Sequence, residues 1–177
     1  MKRLFLLMLT VAAISYSCDK LLDFLIDHTF DYSHPVNLPA DGPTDYSDEY
    51  TFDATDNQDV ADNINNISGY TVNSLKFSIE DFVPDTGIVS GSFSFYFKNT
   101  AGNQIGDVTT KTVDNLFALS ASGDKVDIPL TQGTIDAVQN EFGSTNKVTI
   151  VVSGTVSEVP VDFIVTVYLA IGINVSP

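Results

Sequence analysis

The sequence predicts an all-β fold: an antiparallel two-layer β-sandwich of about eight strands with two short helices. Three observations carry this reading. Apolar side chains recur with a period of two through most of residues 70–176, most clearly where Val161, Phe163, Val165, Val167, Leu169, Ile171, Ile173 and Val175 alternate with Asp162, Thr166, Tyr168 and Asn174. Turn signals built from Gly, Pro, Asp and Asn recur about every eight to twelve residues. Helical spacing is confined to two short windows. A closed β-barrel satisfies the same pattern and is the alternative. No Pro/Ser-rich linker and no internal repeat divides the chain, so residues 18–177 read as a single domain.

Taken in order, Leu21 to Tyr32 (LLDFLIDHTFDY) reads as an N-terminal element docked on the core, with a membrane-contacting foot as the other reading. His28 to Pro39 and Thr44 to Phe52 are extended runs around the turn Asp41-Gly42-Pro43, either a hairpin or a pair of edge strands; Pro35 and Pro39 suit an edge. Asp56 to Ser68 carries Val60, Ile64 and Ile67 at helical spacing, with Asp56 as cap and Gly69 as terminator. Tyr70 to Phe82 and Ile88 to Asn99 alternate, and the turn from Pro84 to Gly87 predicts that they form a hairpin. Asn103 to Val113 is a Thr-rich strand, and Asn115 to Ser122 and Lys125 to Leu130 read as two more around Ser122-Gly123-Asp124. The second helix is expected over Thr131 to Phe142, with Thr131 as cap, Ile135, Val138 and Phe142 on one stripe, and Gly143 after the last turn. Lys147 to Ser153 is a strand. Val161 to Ser176 is expected to be central, and at about 3.3 Å per residue its length of roughly 50 Å calls for a bend or bulge, which Gly172 could supply.

The N-terminus has a different character. In residues 1–18, MKRLFLLMLTVAAISYSC, Lys2 and Arg3 precede an apolar run from Leu4 to Ala13, then small polar residues and the chain's single cysteine. An apolar run of about ten residues is half the roughly 20 needed to cross a hydrocarbon core, so this order is that of an export signal. Residues 1–17 then read as a signal peptide. The stretch resembles a bacterial lipoprotein signal, similar in its loose lipobox to those of Bacteroidetes surface lipoproteins. The resemblance implies a lipid on Cys18, a membrane as partner, and a lipid-anchored location in the cell envelope, at the outer membrane in preference to the inner. Ordinary secretory cleavage, leaving a free thiol, is the alternative.

Charge narrows the class of partner. Residues 18–177 hold all 23 acids and six of the eight cations, a balance of 6 − 23 = −17. Nucleic acid is excluded, because neutralising phosphates takes Lys and Arg patches. Between Lys20 and Lys76 there is no cation, while eleven acids from Asp23 to Asp62 fall inside. Such a run favours solubility and invites a weakly bound divalent cation, although no stretch has calcium-loop spacing and no metal site is assigned.

The residue types argue against catalysis. Only His28 and His34 could serve a triad or a zinc site, and six residues of strand separate them by roughly 20 Å. Gly91-Ser92-Phe93-Ser94 lacks the closing glycine of a nucleophile elbow, and no phosphate-binding loop or cofactor motif is present. The expected function is therefore a non-catalytic binding or assembly module of the envelope, its partner a protein, a glycan or a hydrophobic ligand. The alternative is a carrier in which Phe77, Phe93, Phe95, Phe97 and Phe163 line a cavity for an apolar or lipid ligand. Tyr32, Tyr46, Tyr50 and Tyr70 are the candidates for an exposed aromatic patch. A hydrolase using two carboxylates ranks third.

Overall fold

A computed structural model describes residues 23–84 and 88–176. The strands are β1 (Phe24–Leu38), β2 (Asp45–Asp53), β3 (Ile67–Val83), β4 (Gly91–Lys98), β5 (Gln104–Val113), β6 (Val126–Asp127), β7 (Lys147–Val156) and β8 (Val161–Val175). Three helices interrupt them: α1 (Gln58–Asp62), flanked by 3-10 turns at Ala54–Asp56 and Ile64–Asn66, α2 (Leu116–Ser122) and α3 (Gln132–Thr145).

The strands form two four-stranded antiparallel sheets, ordered β1-β8-β3-β6 and β2-β7-β4-β5. Each strand pairs with the one equally far from the other end of the series: β1 with β8, β2 with β7, β3 with β6, β4 with β5. Contacts of β8 with β3 and of β7 with β4 join these pairs into sheets. This is the double-sheet jelly-roll arrangement, so the chain is a sandwich and not a closed barrel.

Register follows from alternation. In β4 the odd positions Gly91, Phe93, Phe95 and Phe97 are buried and the even ones half-exposed. Phe77 from β3 meets Phe93 and Phe95 with ring centroids 5.3 and 5.2 Å apart, and Phe163 from β8 stands edge-on to Phe93 at 6.4 Å. These five phenylalanines are at most 3% exposed, and they knit the two inner faces together. β8 is central, as expected from its composition. The irregularities its length demanded sit on its neighbour β3, between Ile67 and Gly69, Val72 and Ser74, and Glu80 and Val83.

Several local expectations are corrected. β3 and β4, expected as a hairpin, lie in opposite sheets, whereas β1 and β2 are a pair of edge strands, one of their two readings, in different sheets. The expected first helix shrinks to α1, capped by Asn57 Oδ1 accepting from the Val60 N–H at 3.2 Å. Beyond it, Asn63, Asn65 and Asn66 are poor helix formers, and the ladder to β8 claims the chain from Ile67. Residues 115–122 form a helix, not a strand. Asn115 Oδ1 accepts from the Ala118 N–H at 3.0 Å, and Gly123 closes the helix at φ +68°. The strand expected over Lys125 to Leu130 is reduced to the two residues of β6. α3 begins at the expected Thr131 cap but runs on to Asn146, whose φ of +59° ends it.

Candidate functional site

The two long sides of the sandwich differ. On one side α3 closes the gap between β5 and β3. Its Thr134, Val138 and Phe142 are buried, Thr134 Oγ1 accepts from the Asp107 N–H at 2.9 Å, and Tyr70 OH donates to Asn146 Oδ1 at 2.7 Å. On the other side β1 and β2 face each other as the edges of their sheets, and no helix among the described residues runs along the seam between them. Period two turns the even-numbered residues of both strands inward: His28, Phe30, Tyr32 and His34 from β1, and Tyr46, Asp48, Tyr50 and Phe52 from β2. Phe30 and Phe52 are buried, while the polar members are half-buried along the open edge.

These polar members touch. Tyr32 and Tyr50 stack with centroids 4.2 Å apart and an interplanar angle of 9°. Tyr32 OH donates to Asp48 Oδ2, and His34 Nδ1 lies 2.7 Å from the same oxygen. His34 in turn lies roughly parallel to Tyr46 at 6.2 Å, and Tyr46 stands edge-on to Phe163 at 5.9 Å and Phe93 at 6.4 Å. The seam thus grades from a carboxylate at its mouth to the phenylalanine core. Burial, with the hydrogen bond to Asp48 and its negative charge behind it, pushes the Tyr32 hydroxyl up to about 12.

Tyr46 is the anomaly. Its hydroxyl is buried with no hydrogen-bond partner, and burial holds it well above the ordinary tyrosine range. The ring lies over Gly154, its cross-strand partner in β7. A Cβ at Gly154 would fall 2.5 Å from Tyr46 Cε1 and 3.0 Å from its hydroxyl oxygen. The missing side chain is therefore the slot that the tyrosine fills. A buried hydroxyl left unpaired costs about 1–3 kcal/mol, so the ring occupies its slot against a penalty at its tip.

The predicted residues are divided by this geometry. Tyr32, Tyr46 and Tyr50 come together, half-buried. Tyr70 is on the far side of the core, 7% exposed and stacked on Phe142 at 5.3 Å. Phe77, Phe93, Phe95, Phe97 and Phe163 pack against the core, and hollows of about 380, 380, 270 and 170 Å³ on the described surface are lined by other residues. Sequence reading missed His34 and Asp48 as members of the cluster. The signal was their even numbering, which places them on the same face as the tyrosines of β1 and β2. His28 shares that face but turns to Asn57, with Nδ1 at 3.2 Å from the amide nitrogen, and burial lowers its basicity despite Asp31 and Asp56 nearby.

Reaction chemistry finds little to build on. Among the described residues no hydroxyl or thiol nucleophile is hydrogen-bonded to His34, and each of the hollows above contains at most one carboxylate: Asp23, Asp45 or Asp127. No group of three or more His, Cys, Asp or Glu side chains gathers among the described residues, which corrects the expectation of a divalent cation on the acidic segment. Its carboxylates are dispersed, with Asp27 and Asp31 turned outward on β1, Glu49 bound to Lys98 and Asp53 to Lys147.

No family model matches the chain, and no curated relative does. Solved structures do. The chain is similar to that of Desmodium yellow mottle tymovirus (8% identity, TM-score 0.47, covering 88% of this chain and 90% of that one). It is also similar to the decameric BFDV capsid protein (12%, TM-score 0.44, 86% and 99%) and to turnip yellow mosaic virus (10%, TM-score 0.42, 88% and 96%). At these identities the likeness concerns the fold alone. The structures named are of two viruses and a capsid protein, none of them a bacterial lipoprotein, and the resemblance drawn from residues 1–18 is corrected to this: no family is shown for the chain. The membrane partner and the envelope location, which rested on that resemblance, go with it, while Cys18 itself lies outside the described residues. Residues 1–22 lie outside the described structure.

Proposed function

We propose that this protein is a non-catalytic binding protein for a small hydrophobic ligand, admitted at the β1–β2 seam into the slot that Tyr46 occupies in the unliganded chain. The observation that carries this reading is the unpaired, buried hydroxyl of Tyr46 above Gly154. Swinging the ring outward returns that hydroxyl to water and recovers about 1–3 kcal/mol, which offsets much of the ring's own burial. What it vacates is a slot floored by Gly154 and walled by Phe93 and Phe163. An apolar group of one ring or a short alkyl chain then replaces the tyrosine ring against the same phenylalanines.

This differs from the cavity expected from sequence. The phenylalanines already fill the core, so the space for a ligand comes from a movable side chain and not from a standing void. The chain has seven tyrosines and no tryptophan, so tyrosine emission reports on the site directly. Titration of the full chain with octyl glucoside below its micellar concentration is expected to change that emission saturably, with one molecule retained in native mass spectra. A linear, unsaturable response with no retained molecule would remove the proposal.

A further inference from the structure

We infer that the ligand of the seam carries a positive charge at its polar end: an alkyl or aryl ammonium whose cation sits against Asp48 and the Tyr32–Tyr50 stack. This rests on the binding reading above and adds the chemistry of the mouth. Asp48 receives both Tyr32 OH and His34 Nδ1 on one oxygen, Oδ2, and no other described group donates to Oδ1. Its side chain is 29% exposed, so the unclaimed oxygen is within reach of solvent. Beside it stand two stacked tyrosine rings, whose faces are negative and attract a desolvated cation.

The protein supplies no fixed cation of its own here. Among the described residues Lys76 pairs with Asp127, Lys98 with Glu49 and Lys147 with Asp53, while Lys125 lies 3.4 Å from the Tyr168 ring centroid. Lys111 belongs to β5, the edge strand on the far side of the sandwich. The groups facing Asp48 are Tyr32, His34, Tyr46 and Tyr50, of which His34 alone is a base, and it is engaged through Nδ1 with Oδ2. The carboxylate thus has an open oxygen and an aromatic wall, with the Tyr46 slot beside it, two residues back along β2 and next to His34. A primary ammonium would donate to Oδ1, and a quaternary one would rest on the tyrosine faces. In either case the tail reaches Phe163 and Phe93.

Three amphiphiles with one tail separate the possibilities: octyltrimethylammonium, octyl glucoside and octyl sulfate, each titrated below its micellar concentration against the full chain and its variants. The cationic probe is expected to bind about tenfold more tightly than the neutral one, and the sulfate more weakly than both. Asp48→Asn, which keeps an acceptor for Tyr32, should reduce the cationic preference to about twofold or less. Glu49→Gln removes one charge from the opposite face of the same strand and should leave the preference intact. A preference that survives Asp48→Asn would reflect the formal charge of −15 rather than the seam and would overturn the inference. Equal binding of all three probes overturns it as well, while leaving the binding reading in place. Failure of all three to bind ends both.

Discussion

Replacing Tyr46 by phenylalanine should make the protein more stable while making it a poorer binder, a pairing that a merely structural tyrosine does not produce. The hydroxyl removed has no partner, so its loss sacrifices no hydrogen bond and relieves a desolvation penalty of about 1–3 kcal/mol. At the lower bound this raises the melting temperature by about 2–4 °C for a chain of this size. The same change removes the incentive for the ring to leave its slot. If the whole 1 kcal/mol opposes opening, affinity for octyl glucoside falls roughly fivefold. Gly154→Ala works from the other wall: its Cβ would stand 2.5 Å from Tyr46 Cε1, so the ring has to give up its packing against Phe93 and Phe163 to make room. Overpacking of this kind costs about 1–3 kcal/mol. In a Tyr46→Ala background the same methyl enters free space, so the double-variant cycle should show a coupling of at least about 1 kcal/mol. Urea denaturation of the wild type, Tyr46→Phe and the three variants of the cycle, with equal m-values, measures the stabilities, and the octyl glucoside titration measures the affinity. Destabilisation by Tyr46→Phe would falsify the argument, because it would mean that the hydroxyl has a partner in solution.

Other expectations concern the frame around the seam. The hydroxyls of Tyr32 and Tyr70 are both held up to about 12, chiefly by burial. Because these folded-state values lie above the unfolded one near 10, the protonated tyrosines' contribution is complete below about pH 10 and is lost as pH rises toward 12. Absorbance at 295 nm should therefore show these two ionising together with loss of the folded circular-dichroism signal, and normal titration in the folded chain would refute this. Burial alone would raise the Asp53 carboxyl, but the Lys147 ammonium, 2.7 Å away, and the Thr55 N–H and hydroxyl outweigh it and hold it below its usual range. That contribution is present above pH about 4 and lost as the carboxyl protonates below it. Asp53→Ala at neutral pH should cost about 1–2 kcal/mol, and an effect below about 0.3 kcal/mol would show the cap to be idle. Phe77→Ala, at a side chain with no exposure between Phe93 and Phe95, should cost about 3–5 kcal/mol in urea melts.

The strands were legible where burial on one face enforces alternation. β8 reads unmistakably because it is central and every second side chain meets the opposite sheet. α3 reads from the Thr131 cap and the stripe through Val138 and Phe142. α2 was misread because seven residues are too few to show a period, and its real signals were the flanking Asn115 and Gly123. α1 was overextended because Ile64 and Ile67 happen to fall at helical spacing, while the ladder that pulls Ile67 into β3 comes from Val175, more than a hundred residues away. Strand pairing was the least legible property, since proximity in sequence suggested hairpins where this topology, β4 and β5 apart, sends successive strands to opposite sheets. The seam was half legible: of the four tyrosines expected together, three meet there, yet what unites them with His34 and Asp48 is a shared edge, and the edge is a property of the sheet order. Tyr70 has the same composition around it and a different fate because it faces α3.

Pairing each strand with its counterpart from the opposite end of the series also sets a schedule. β8 sits between β1 and β3 and bonds to both along nearly their whole lengths. It is also the last of the described strands in chain order. Until those fifteen residues leave the ribosome, the first sheet has a gap at its middle, where β1 has no ladder and β3 only the short one to β6. The first sheet therefore waits for β8, and a nascent chain stopped before Val161 would remain open along its apolar faces, a natural client for a holdase rather than a partly finished domain.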